Sequence, residues 1–240
     1  MILIRKRDLF KGTILGLFSG IFIFLLQGNI PDIPVFSSEN DMIFTVVVDA
    51  GHGGEDGGAV SASGVVESNL NLAVALRLDA LLRFTGIKTV MTRTEDVSIG
   101  DSSLTTIRKR KASDLEKRVD LVNTTPNAVL ISIHQNSFPT SPVTHGAQVF
   151  WNTVPGAEDL AASIQNTLNL SVNPENKKKP KPIPASIYLT KHAQVPSVVV
   201  ECGFLSNTDE TARLQQPTYQ LKLAAAVASG YLRCLKGESL

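Results

Sequence analysis

Phe44-Thr45-Val46-Val47-Val48-Asp49-Ala50-Gly51-His52-Gly53-Gly54 opens as an unbroken apolar, β-branched run and ends in a glycine-rich turn carrying a histidine. A strand with no polar alternation is one covered on both faces, the mark of a parallel sheet. The chain beyond it alternates accordingly. Asn69 to Phe84 is a predicted helix, with Leu70, Ala73, Val74, Leu78, Leu81 and Leu82 on one stripe and Gly86 as its stop. Strands are predicted at Ile87 to Thr92, Ala128 to Ile133, Ala147 to Trp151 and Ser197 to Val200. Further helices are predicted at Ala157 to Leu170 and Tyr219 to Leu232, and one from the capping-box pattern at Ser113 to Glu116 as far as Asn123. Glu95 to Lys111 and the Lys- and Pro-rich stretch from Ser171 to Pro184 read as solvated surface segments. Strands alternating with helices define an α/β fold, a mostly parallel sheet with helices on both faces.

Before this domain, Arg5, Lys6, Arg7 and Lys11 precede an uncharged run from Gly12 to Pro31. The pattern reads as a signal anchor or signal peptide over residues 1–27, the uncleaved helical anchor being favoured because no small-x-small site follows. The positive-inside rule then places the rest of the chain outside the cytoplasmic membrane. Residues 28–42 read as a linker, and 43–236 as the folded domain. The net charge is +1, and about −2 without the basic N-terminus, so nothing points to nucleic acid. Cys202 and Cys234 read as two buried free thiols rather than a disulfide.

Four side chains sit where a strand gives out or a helix begins: His52, Glu67, His134 and Glu201. Sites in open parallel sheets form beyond the carboxyl ends of the strands. Two imidazoles and one carboxylate form a donor set for Zn²⁺ and leave room for water. A further carboxylate can then carry a proton from water to a leaving amine, and Glu201 is free for that role. A carboxylate directly after Val198-Val199-Val200 is costly to bury unless it is paired or used. His145 and His192 compete as ligands at this point. His145 lies in a turn-like segment, and His192 reads also as a substrate contact. Asp49 is either an orienting partner of His52 or a strand cap. Asn136 and Arg118 are candidate substrate-binding residues, each with a structural alternative.

The motifs resemble those of the zinc-dependent N-acetylmuramoyl-L-alanine amidases of the amidase-3 family over about residues 44–235. They are Val48 to Gly54 with Asp56 to Ala59, Gly64 to Leu72, Thr92-Arg93-Thr94, Asp114-Leu115 with Arg118 and Asn123, Ser132 to Asn136, and Val200 to Asn207. The resemblance implies a three-layer α/β sandwich, one Zn²⁺ on His52, Glu67 and His134, and Glu201 as the catalytic carboxylate. It implies peptidoglycan as the partner polymer and hydrolysis of the bond between N-acetylmuramic acid and L-alanine. Asp101 to Arg118, Gly146 to Phe150 and Tyr188 to His192 further resemble the germination-related branch, which strips stems from spore cortex on the way to muramic-δ-lactam in the forespore envelope. Two departures stand out: Gln135 where a small residue is usual, and Cys202 where a small or β-branched one is common. Another peptidoglycan zinc peptidase and a catalytically weak wall-binding module are the competing readings. Some relatives need an activator, and the sequence identifies none.

Overall fold

A computed structural model describes residues 44–184 and 186–237. The segment read as a signal anchor and the whole of the linker lie outside the described residues. Among those described, no helix is long and apolar enough to cross a membrane.

Six strands form one sheet: β1 (Thr45–Ala50), β2 (Lys88–Met91), β3 (Ala128–Asn136), β4 (Gln148–Trp151), β5 (Lys181–Pro182) and β6 (Ser197–Phe204). Their spatial order is β2-β1-β3-β6-β4-β5. β2, β1, β3 and β6 run parallel, while β4 pairs antiparallel with β6. The α/β expectation is met. The helices are α1 (Glu67–Phe84), α2 (Ile107–Thr124), α3 (Ala157–Ser171), α4 (Tyr188–His192), α5 (Thr208–Leu214) and α6 (Pro217–Leu235).

The two sheet faces are filled unequally. Val46, Val48, Ile131, Ile133, Val198 and Val200 meet Leu70, Val74, Leu78 and Leu82 of α1, with α3 and α6 completing this larger core. Val47 and Leu130 point the other way, into a smaller cluster with Val122 of α2, Ala128, and Leu189 and Ala193 at α4, and with Val119 and Val195 packed against it. At about 25 cal/mol per Å² of apolar surface, the first face supplies most of the driving force for folding. The thin cover on the second leaves part of the sheet open as a cleft floor.

Several boundaries differ from expectation. α2 begins at Ile107, and Thr106, not Ser113, caps it by accepting from the Lys109 amide. Ser113 lies inside the helix and accepts instead from the Asp101 amide. The basic 107–111 segment is therefore helical, its polar side chains facing solvent or the cleft. Within the Lys- and Pro-rich stretch, Lys181–Pro182 adds a short edge strand, and Lys178 is tied down, donating to the carbonyls of His145 and Gly146. The short helices α4 and α5 have no periodic signal and were not expected. Both cysteines are free thiols, Cys202 buried and Cys234 only half-buried.

Candidate metal centre and cleft

His52 follows β1 by two residues and adopts a left-handed backbone, φ +60°. A non-glycine residue there stores strain that the surroundings must hold. Two glycines make the crowding possible. A Cβ on Gly51 would stand 2.2 Å from the His134 ring, and one on Gly58 would stand 2.5 Å from Glu67 Oε2. Glu67 is the first residue of α1, 4 % exposed. His134 and Glu201 are register partners on neighbouring parallel strands, so both reach the same side of the sheet.

Donor atoms of His52, Glu67 and His134 all lie within 4.8 Å of one another. His52 Nε2 is 3.3 Å and His134 Nδ1 2.9 Å from Glu67 Oε1. The other ring nitrogen of His52, Nδ1, meets Asp56 Oδ2 at 2.9 Å, and Lys111 Nζ holds Asp56 Oδ1 at 2.7 Å. Asp56 is thus the partner that turns the His52 ring. Asp49 is not; the orienting role offered it above is corrected here. It lies beneath the site, 1 % exposed, accepting from Arg118, Thr92 and Ser132.

Electrostatics match this geometry. Burial alone would strip His52 of its proton, but the hydrogen bonds and charges of Asp56 and Glu67 outweigh it and raise its pKa to about 9. Burial penalises ionised Glu67 too, and the two histidines overcome that, holding it well below the usual carboxylate range. Glu201 is pushed up to about 7, chiefly by burial and further by the Glu67 charge, against the pull of His134 and His52. Its Oε2 is enclosed without a hydrogen-bond partner. Two carboxylates in one enclosure keep one of them protonated unless a cation joins them.

The remaining candidates separate. Arg118 is 2 % exposed, and its guanidinium is taken up by Asp49, Asp114 and the carbonyls of Ala50 and His52. These bonds give it a positioning role under the His52 turn, at the edge of the cleft. Asn136 lines the cleft, its Oδ1 accepting from the Ser137 amide. His192 is exposed at the end of α4, stacked at 4.3 Å on Tyr188, and the cleft is lined by Tyr188 rather than by His192 itself. His145 is exposed, with its Nδ1 at the Val143 carbonyl, outside the donor cluster. The cleft measures about 860 Å³. Its lining includes Ser132, Val199 and Phe150 of the sheet, the mostly apolar Ile183, Pro184, Ile187, Tyr188 and Leu189, and the basic Arg110 and Lys111. Asp56, Asn71 and Arg93 support the centre without having been singled out for it. For Asn71 a signal existed: it interrupts the inner stripe of α1 one turn after Glu67.

Fold and site together define a class, an α/β protein with a mostly parallel sheet whose cleft centres on a candidate metal triad. The chain belongs to the N-acetylmuramoyl-L-alanine amidase family, whose model matches residues 46–233. It is a peptidoglycan amidase. Among its relatives, the germination-specific N-acetylmuramoyl-L-alanine amidase of Bacillus subtilis (strain 168) is 34% identical over 188 residues, 78% of either chain. The CwlD amidase of Clostridioides difficile, solved in complex with the GerS lipoprotein, superposes with a TM-score of 0.77 at 34% identity, over 80% of this chain and 98% of that one. AmiC2 of Nostoc punctiforme gives 0.65 at 27% identity, over 80% and 97%.

Proposed function

We propose that this amidase holds one Zn²⁺ on His52, Glu67 and His134, uses Glu201 as its proton carrier, and removes stem peptides from spore cortex peptidoglycan as a step towards muramic-δ-lactam. One observation carries the catalytic part: three donors converge within 4.8 Å beside a carboxylate with an enclosed, unpartnered oxygen. The donor set fits zinc, and a bound zinc supplies a Lewis acid that polarises a carbonyl and acidifies water. Glu201 takes one proton from the attacking water as the new C–O bond forms on the lactyl carbonyl. It delivers that proton to the alanine nitrogen as the C–N bond breaks. A carboxyl with a pKa near 7 is suited to both halves of that exchange. Asp56 and Lys111 keep the His52 ring turned, and the apolar wall around Ile187 and Tyr188 excludes water from the bond under attack.

The cortex assignment is supported by the germination-specific relative. Action outside the cytoplasmic membrane, in the forespore envelope, follows from a peptidoglycan substrate and from the basic-then-apolar N-terminal segment read as an anchor over residues 1–27. The lipoprotein in the CwlD structure supports a partner of that kind here, acting as an activator.

The test compares the full chain with Glu201→Gln on cortex-type and vegetative peptidoglycan, with metal content measured and products identified by mass. Expected are stem peptides with a free L-alanine amino end from the wild type, and a rate lower by about 10²-fold or more in Glu201→Gln at equal zinc content. Cleavage at another bond would overturn the amidase mechanism. Equal activity without cortex-type structure would overturn the cortex assignment.

A further inference from the structure

Gln135 and Asn71 meet beside the donor cluster, Gln135 at the edge of the cleft. Asn71 is fully buried and Gln135 3 % exposed. Asn71 Nδ2 donates to Glu67 Oε1 and to the Gly51 carbonyl, both at 3.1 Å. Gln135 Nε2 donates to Asn71 Oδ1 at 3.3 Å, and the Gln135 amide donates to Glu67 Oε1 at 3.2 Å. The Ala59 amide holds Glu67 Oε2 at 2.8 Å.

The polarity of this chain of bonds is forced. An ionised carboxylate and a carbonyl only accept, so Asn71 must turn its Nδ2 towards them. Its Oδ1 then faces Gln135, which must answer with Nε2. The Gln135 side chain also meets the buried Cys202 thiol, so it is held on the side away from Asn71 as well. Asn71 stands one helical turn after Glu67 on the same face of α1, and Gln135 directly follows His134 on β3. The pair thus links the two elements that carry the Glu67 and His134 side chains.

We propose that Asn71 and Gln135 are a positioning pair for Glu67: Gln135 fixes the orientation of the Asn71 amide, and Asn71 fixes the carboxylate that faces the metal. The inference rests on the reading of His52, Glu67 and His134 as ligands. It gives Gln135 a role as an outer support of the centre.

The experiment titrates the metal-free full chain with Zn²⁺ against a competing chelator and records the visible spectrum with Co²⁺ as probe. Asn71→Leu, Gln135→Met, the double variant and His134→Ala are compared with wild type, each checked for folding by circular dichroism. Expected is a loss in zinc affinity of about 10- to 100-fold for Asn71→Leu, the range for supports of metal ligands. Gln135→Met should lose less. Because Gln135 acts through Asn71, the double variant should match Asn71→Leu alone, and the Co²⁺ bands should shift in both single variants. Wild-type affinity and unchanged bands in folded Asn71→Leu and Gln135→Met would overturn the pair. So would a double-variant loss equal to the product of the single losses. If Asn71→Leu fails to fold, Gln135→Met alone decides by the same two readouts. Undiminished zinc uptake by His134→Ala would instead overturn the ligand reading itself, and the pair with it.

Discussion

As the proposed proton carrier Glu201 must exist both with and without its proton, and its surroundings allow this at a cost to the metal-free protein. Its pKa rises from the ordinary 4.5 to about 7 in the fold, mainly through burial. Below about pH 4.5 it is protonated whether the chain is folded or not, and no penalty exists. As pH rises towards 7 the unfolded chain releases the proton while the folded one keeps it, so stability falls, and the loss levels off above 7. Metal-free Glu201→Gln should therefore be more stable than wild type at pH 8, by at most about 3 kcal/mol, with the difference nearly gone at pH 4.5. Denaturant titrations at both pH values check this, and a gap independent of pH would refute it. Glu201, His52, Glu67 and His134 were legible in the sequence because each stands at the end of an apolar run or the start of a helix, where an isolated charged or imidazole group is conspicuous. Asp56 was not. Its role depends on how the glycine-rich turn folds back, and no periodicity encodes a left-handed backbone at His52.

The turn after β1 depends on α2 as much as on its own glycines. Arg118 projects from that helix beneath the sheet end and binds Asp49 at 2.5 Å, Asp114 at 2.7 Å and the His52 carbonyl at 2.7 Å. Burial would push its proton off, yet Asp49 and Asp114 more than offset this, and its pKa is raised. Removing one member of such a pair strands the other charge. Arg118→Met should thus cost about 3–5 kcal/mol in urea unfolding at pH 7. Adding Asp49→Asn to it should recover part of the loss. A cost below about 1 kcal/mol would mean that the network does not hold the turn. The sequence misplaced the start of this helix because Ser113-Asp114-Leu115-Glu116 satisfies the capping pattern after a run, Arg108 to Lys111, that is wholly basic. Apolar periodicity could not extend a helix that buries only Arg118 and Val122. α1, with Leu70, Val74, Leu78 and Leu82 buried at four-residue intervals, was located from its stripe.

At the scale of the whole molecule, the centre gathers side chains from the turn after β1, the first turn of α1 and the end of β3. The alternation of apolar runs made that convergence foreseeable, since successive parallel strands bring their carboxyl ends to one edge. The partly covered second face, which forms the cleft, was not foreseeable. It results from the small number of apolar residues that α2 and the short α4 contribute. If His52, Glu67 and His134 hold a metal as proposed, donors drawn from three elements mean that the ion stabilises the fold as a unit. At free zinc 100-fold above its dissociation constant the gain is about 2.7 kcal/mol. Protons compete for the same site. In the metal-free fold His52 keeps its proton up to about pH 9, so zinc uptake must expel it, and affinity should fall as pH drops below that value, by up to about tenfold per unit. The rise in melting temperature on adding zinc should accordingly be larger at pH 8 than at pH 6 and should vanish in His134→Ala. Equal rises at both pH values would show that His52 does not surrender a proton to the metal. A rise that survives in His134→Ala would place the ion elsewhere on the protein.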